Sequence, residues 1–535
     1  MLFSQANRQT FRQTAMETRK RSDATASVLS SSSSSSSSVT LSYSSSSSST
    51  LSGAFNNIIS CLNIFAAFLL LTTTSSSFIA CVNGNDNLRV AFEWNEIDFK
   101  YASVDQRWAA IQNSEFKPDN VIPFGLEVYR SRLFVTLPRW RDGVPASLAY
   151  LDLNDNTTKS PALTPFPSWE AHSLNEPEPE LVSPFRVRAD RCGRLWVLDA
   201  RISNVLEQKK VHGAAQLLIY DLHNDNLLHR HVLPTEQMKT NSFYANLAVE
   251  DGDCENTFAY AADLGSPGLV VFSWRDKESW RVQHNFFHPD PLAGNYSIGG
   301  IDFQWDDGLY GLAISKAQGD GFATLYFHPM SSTMEFAVNT MILRNKTLAT
   351  SGGEIYRDFK ILGSRGPNAQ AGASFLDQLT GVLFYALPNL NAIACWKTSN
   401  RAYTIKSQGR VYMSPVEMVF PSDVKVDDQD RLWVLSNRLH EFIYDEMLPT
   451  TVNFRVLTAH VKDAIENTAC DIRTKPLPEL INKLGDILNN VTNSTLRTIK
   501  SDADAATRSN WVAVSVTAAA AVVASKFLSF RPILE

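Results

Sequence analysis

Apolar and polar positions alternate in short runs along most of this chain, and each run ends in a cluster of Asp, Gly or Asn. The clearest run is Phe185-Arg-Val-Arg-Ala189, followed by a turn that opens at Asp190 and by Arg194-Leu-Trp-Val-Leu-Asp199. The same phrase returns as Ser422-Asp-Val-Lys-Val426, a turn opening at Asp427, and Arg431-Leu-Trp-Val-Leu-Ser436. Alternation marks a strand with one buried face, and the polar cluster marks the hairpin turn that follows it. Weaker copies run from Gly125 to Thr136, Leu247 to Tyr260, Ile301 to Leu312 and Ala373 to Tyr385. The acidic residues that open the turns, Asp190, Glu250, Asp306, Asp377 and Asp427, fall about 50–70 residues apart. Four-stranded propeller blades repeat every 40–50 residues or so, and long inter-strand loops lengthen them. The pattern therefore predicts an all-β, six-bladed propeller over residues 88–472. A pair of β-sandwiches fits less well, because a sandwich does not repeat one hairpin six times. The alternating stretch Leu88 to Phe99 precedes the first unit and is the expected closing strand of the last blade, which removes two free edges.

The two ends follow other patterns. Residues 1–56 are Ser-rich and basic, with no means of forming a core. Residues 57–81 carry an apolar run, Ile58 to Leu71, then Thr/Ser and Phe78-Ile-Ala80, the arrangement of a signal peptide cleaved near Ala80 or Cys81. Residues 473–535 read as a linker, with one short helix from Leu477 to Asn490, and an apolar tail from Trp511 to Ala524. That tail is shorter than the roughly 20 residues a bilayer span needs, so membrane association through it stays open.

Of the 535 residues 44% are apolar and the net charge is −6, which supports a large core and excludes a basic nucleic-acid binder. Beyond the signal segment four cysteines remain, and three pairings of them exist. Cys192 and Cys254 lie in equivalent turns of adjacent units, which pairs them and leaves Cys395 with Cys470. Sequons at Asn156, Asn295, Asn345, Asn490 and Asn493 agree with a secretory route and an extracellular protein.

Aligning the units on their turns picks out one column of inner-strand residues: Glu127, Arg186, Asn246, Asp302, Ala373 and Asp423. Polar side chains at equivalent positions converge on the axis of a propeller, where they either pair with one another across blades or meet a ligand. An oxygen-rich column also suits calcium, the arrangement of a metal-dependent propeller lactonase. Arg186 beside it repels a cation, so no metal or other cofactor is expected. His172, His284 and His288 fall in expected face loops, where they are candidate proton-transfer groups but read more readily as solvated surface residues. The motifs G-x-S-x-G and HExxH are absent, which keeps a non-enzymatic patterning or structural role in view.

Several phrases occur in one order: Leu133-Phe-Val-Thr-Leu-Pro-Arg-Trp-Arg-Asp-Gly143, Cys192 to Asp199, Asn246-Leu-Ala-Val249, Phe303-Gln-Trp305, Arg365-Gly-Pro-Asn368, Phe420 to Lys425 and Glu466-Asn-Thr468. On these the chain resembles the insect Yellow / major royal jelly protein family across about residues 90–472. The resemblance implies a secreted propeller acting in melanin pigmentation or cuticle. It implies a small aromatic amine or catechol-derived partner in the channel, with dopachrome conversion as the enzymatic form. Asp302 or Asp423 would then face the ammonium and serve as candidate proton-transfer groups. Phe185, Phe243 and Phe420 would stack on the ring, a cation–π contact adding about 0.5–2 kcal/mol in a dry site. Arg186, Asn246 and Asn368 complete the candidate contacts.

Overall fold

The computed structural model describes residues 87–155 and 158–472. Six four-stranded antiparallel sheets follow one another along the chain, and the first strands of successive sheets neighbour each other in a closed ring. Blade one runs Gly125–Tyr129, Arg132–Thr136, Leu148–Asp152 and Thr164–Pro165 from axis to rim. Blade two is Pro184–Ala189, Arg194–Asp199, Gln216–Asp221 and Leu227–Val232. Blade three is Tyr244–Glu250, Phe258–Asp263, Gly268–Ser273 and Glu278–Val282. Blade four is Leu309–Ile314, Thr324–Pro329, Met334–Asn339 and Lys360–Ser364. Blade five is Ser374–Asp377, Val382–Leu387, Ala392–Lys397 and Gln408–Met413. Blade six takes Phe420–Val426, Arg431–Asn437 and Phe454–His460 from the C-terminal end and its rim strand, Arg89–Trp94, from the N-terminal end. Arg89 pairs with Thr458 and Trp94 with Phe454, so the ring is closed by a strand from each end of the domain, as the alternation at Leu88 to Phe99 predicts.

The repeated phrase has a local cause. Asp190 accepts the backbone N–H groups of Cys192 and Arg194 at 2.9 Å, which fixes the turn, and its second oxygen accepts the indole N–H of Trp196 at 2.7 Å. Asp427 does the same for Gln429, Arg431 and Trp433. One carboxylate thus ties a turn to the strand after it, and the Trp two residues into that strand fills the space between blades. Two disulfides staple the ring as the turn positions predict. Cys192–Cys254 joins blades two and three, and Cys395–Cys470 joins blade five to the segment after blade six. Bridges of this loop length contribute about 2–4 kcal/mol each.

Blade four departs from expectation. Ile301–Gln304 is not its inner strand; it pairs with Asn295–Ile298 in a separate two-stranded hairpin. The turn-like Asp306-Asp307-Gly308 is a crossing between this hairpin and Leu309–Ile314, which is the true inner strand. Gly308 N–H bonds to Leu264 O of the blade-three side at 3.0 Å, and this pulls the crossing onto the neighbouring blade. The count of six survives because Leu309–Ile314 still belongs to blade four, one strand earlier than its place in the repeat suggests. The expected low-complexity head, signal segment, short helix at 477–490 and apolar tail lie outside the described residues. Among the described residues no helix is long and apolar enough to cross a membrane.

Candidate functional site

Four inner strands carry a bulge at the same level, at Phe185, Ala245, Tyr310 and Ser422, where one extra residue opposes the second strand. A bulge re-aims the side chains around it. Arg186, Asn246 and Asp423 each follow the bulge of their strand, Tyr310 sits at the bulge of its own, and all four are buried. Arg186 crosses the channel. Its Nη1 donates to Phe124 O and Phe185 O at 2.9 Å, and its Nη2 donates to the Tyr310 hydroxyl at 2.5 Å and to Ser422 O at 2.7 Å. Asp423 lies 3.6 Å from Arg186 Nε and accepts Leu126 N–H, Val424 N–H and Lys425 Nζ at 2.7–2.9 Å. Asn246 donates to Tyr310 O at 2.7 Å, and Glu127 accepts Arg188 at 3.0 Å. The contacts of Arg186 with Tyr310, Ser422 and Asp423, of Asp423 with Leu126, of Asn246 with Tyr310 and of Glu127 with Arg188 join one blade to another. Both Nη atoms of Arg186, the Asn246 amide and both Asp423 oxygens are therefore engaged by protein, while Arg186 Nε makes no hydrogen bond and has only the Asp423 carboxylate at 3.6 Å, and the column cross-links the ring at its centre.

Asp302 is not in this column. It is exposed on the separate hairpin, because the register of blade four shifts by one strand; Gly311 occupies the blade-four position instead, and the hydroxyl of the preceding Tyr310 reaches Arg186. Ala373 is buried on the approach to the inner strand of blade five. Asn368 is exposed with φ 56°, a turn residue after Gly366. Of the sequons, Asn295 and Asn345 are exposed, while Asn156, Asn490 and Asn493 lie outside the described residues. Two of the histidines read as solvated are buried. His172 bonds Ser147 and Phe166 O, and His284 stacks on Phe359 at 4.0 Å; His288 is exposed.

The mouth of the channel beyond Arg186 has a different character. Phe185 meets Phe243 at 4.7 Å, Phe124 at 5.5 Å and Trp140 at 5.7 Å, and Phe420 meets Trp305 at 6.1 Å. The hairpin adds Tyr296 and Phe303, stacked at 5.3 Å, and the short helix Leu439–Tyr444 adds Tyr444, 5.0 Å from Phe303. Into this aromatic collar the crossing segment brings Asp307. Its backbone is held to Ser331 at 3.1–3.2 Å, but none of the described residues donates a hydrogen bond to its carboxyl. It is 5% exposed, and burial pushes its pKa up to about 7. Burial raises the phenols of Tyr296 and Tyr310 as well, and the negative charge of Asp307 adds to both, which puts the carboxyl within electrostatic reach of the two rings. A carboxyl held near neutrality in an apolar wall is the pattern of an acid–base or cation-binding group. Sequence reasoning missed Asp307 because Asp306-Asp307-Gly308 resembles an ordinary hairpin turn; its distinguishing signal is the aromatic phrase Phe303-Gln-Trp305 just before it.

Among the described residues no group of three His, Cys, Asp or Glu side chains is placed to hold a metal ion. The profile of the major royal jelly proteins matches residues 182–470. The "Protein yellow" of Drosophila subobscura is 38% identical over 389 residues, covering 72% of this chain and 68% of its own. That of Drosophila erecta is 37% identical over 389 residues, covering 72% of this chain and 71% of its own. Among solved structures, the calcium-binding protein regucalcin of Agrobacterium tumefaciens aligns at TM-score 0.37 and 11% identity, over 63% of this chain and 89% of its own. A luciferin-regenerating enzyme aligns at TM-score 0.37 and 13% identity, over 65% of this chain and 92% of its own. The matched residues reach from the inner strand of blade two to Cys470, and on them the chain belongs to the major royal jelly protein family, alongside the yellow proteins.

Proposed function

We propose that this chain is a secreted yellow-type protein of melanin pigmentation that holds a catechol- or indole-derived amine in the aromatic mouth of its propeller. The observation that carries the reading is Asp307. A buried carboxyl with no donor among the described residues is expensive unless something pairs with it, and an ammonium is the natural partner. The collar of Phe185, Phe243, Phe420 and Trp305 supplies flat faces for the ring. This relocates the ligand from the channel centre, where Arg186 and Asp423 are already paired, to the end above it. Two disulfides and the exposed sequons Asn295 and Asn345 favour the extracellular route.

The same pocket serves two readings, binding alone and conversion of a bound aminochrome such as dopachrome. The second is favoured by Asp307 standing near neutrality, where a carboxyl both gives and accepts a proton. Purified protein mixed with dopachrome separates them. Accelerated loss of the visible absorbance supports conversion, and micromolar dopamine binding without acceleration supports binding alone. Neither binding nor acceleration removes the proposal.

A further inference from the structure

Of the four histidines buried among the described residues, two are fully satisfied, and His284 uses Nδ1 but leaves Nε2 without a partner. His172 uses both ring nitrogens, on Ser147 and Phe166 O, and His328 uses both, on Glu335 and Gly372 O. His440, in the short helix Leu439–Tyr444, uses neither: it is wholly buried, and Nδ1 and Nε2 both lack a hydrogen-bond partner. The nearest carboxylate oxygen, Glu441 Oε1, is 3.7 Å from Nε2 and is itself held by Arg438 at 2.5 Å. The imidazole lies 12° from parallel to Phe420, a wall of the aromatic mouth, at 6.1 Å. Its Nε2 faces the tip of the hairpin at Gly299, where an added Cβ would come within 2.7 Å. Gly299 and Gly300 both have positive φ and Gly300 is exposed, so one glycine turn separates this nitrogen from solvent. Two buried polar atoms left unpaired cost about 1–3 kcal/mol each. A phenylalanine would fill the space without that cost.

We infer that His440 is a catalytic residue of the mouth site, moving a proton from carbon to oxygen on a bound aminochrome-type quinone. The inference rests on the conversion reading of that mouth. The unprotonated ring nitrogen takes a proton from a carbon conjugated to the quinone carbonyl. The electron pair left behind moves through the conjugated system to the carbonyl oxygen, and the imidazolium returns the proton there. One C–H bond breaks and one O–H bond forms. Substrate and product are isomers, so neither an oxidant nor a covalent adduct is needed. Burial, with Arg438 adding to it, lowers the pKa of His440 to about 4, so the ring is neutral and keeps its lone pair at neutral pH. Phe420 holds the plane of the ring, and the hairpin tip must lift for the substrate to reach it.

Dopachrome turnover and dopamine binding by wild type, His440→Phe and His440→Gln test this. The expected result is a loss of about 100-fold or more in kcat for both variants, the usual worth of a positioned proton-transfer group. Dopamine affinity should change by less than about threefold, because a proton carrier need not hold the ground state. Melting of His440→Phe should be no lower than wild type, and His440→Gln gives the reading if the Phe variant misfolds. Turnover by the variants within about threefold of wild type would overturn the inference and leave the conversion reading standing. No turnover by wild type would overturn both.

Discussion

The centre of the channel is built by the inner strands and its mouth largely by the segments around them, the hairpin 295–304, the crossing at Asp307 and the helix Leu439–Tyr444, and the two treat polar groups in opposite ways. At the centre Arg186 makes four hydrogen bonds, to three carbonyls and a hydroxyl, and Asp423 accepts three donors. A few residues further along the axis Asp307 has no donor among the described residues, and His440 has no partner on either nitrogen. Paired charge at the centre fixes the blades relative to one another, which is structural use of an expensive residue. Buried polar groups at the mouth that lack a hydrogen-bond partner among the described residues work against folding, and their retention there favours a ligand. Polarity at the axis of a propeller is therefore not itself a sign of a binding site; incomplete pairing is the better sign.

Breaking the centre should have the largest effect. Arg186→Met leaves Asp423 with fewer partners and removes the brace between blades two, four and six. Loss of one member of a buried ion pair costs about 3–5 kcal/mol, read by denaturant or thermal unfolding. Stability within about 1 kcal/mol of wild type would show that the brace is incidental. Breaking the mouth should do the reverse. Asp307→Asn should weaken dopamine about 10- to 100-fold by calorimetry, the scale of one charge-assisted contact in a dry site, and should leave the fold at least as stable.

The pH dependence sharpens the contrast, because the folded pKa of Asp307, about 7, lies above the ordinary aspartate value of 3.8. Between those values the folded state keeps a proton that the unfolded state has lost. This contribution therefore lowers stability as pH rises from about 4 to about 7, and the loss persists above that window. Tyr296 and Tyr310 face this carboxyl and both are raised, so they stay neutral across the window. Comparing unfolding of wild type and Asp307→Asn at pH 4 and pH 8 should show the variant gaining relative stability at the higher pH. Dopamine affinity of the wild type should rise over the same range as the carboxyl ionises. Smaller again is Phe185→Leu, which keeps bulk and loses the ring face, at about 0.5–1.5 kcal/mol in amine binding. The smallest effect belongs to Asp302→Asn, an exposed change expected within about 0.5 kcal/mol on stability and without effect on binding.

Much of the ring was legible in the chain itself. Asp190 and Asp427 stand at fixed distances from Trp196 and Trp433 because one carboxylate must bond both the turn and the indole, so the motif is as visible in sequence as in space. The pairing of Cys192 with Cys254 followed from equivalent turns on adjacent blades. Blade four misled because Ile301 to Gly308 satisfies every local rule for a strand and its turn. Its true partners, Asn295–Ile298 and Leu264, are settled by tertiary contacts that no local pattern carries. The site was illegible for the same reason. That Asp423 is engaged while Asp307 is not depends on Lys425, Leu126 and the closing of the ring, and that His172 is satisfied while His440 is not depends on which carbonyls lie nearby.

A crystal structure of this protein soaked with dopamine tests the central claim most directly. The account predicts the ammonium about 3 Å from the Asp307 carboxylate, the ring against Phe185 or Phe420, and the contacts between Arg186 and Tyr310 unchanged. An amine seated beside Asp423 with Arg186 displaced, or bound away from the collar altogether, would contradict it.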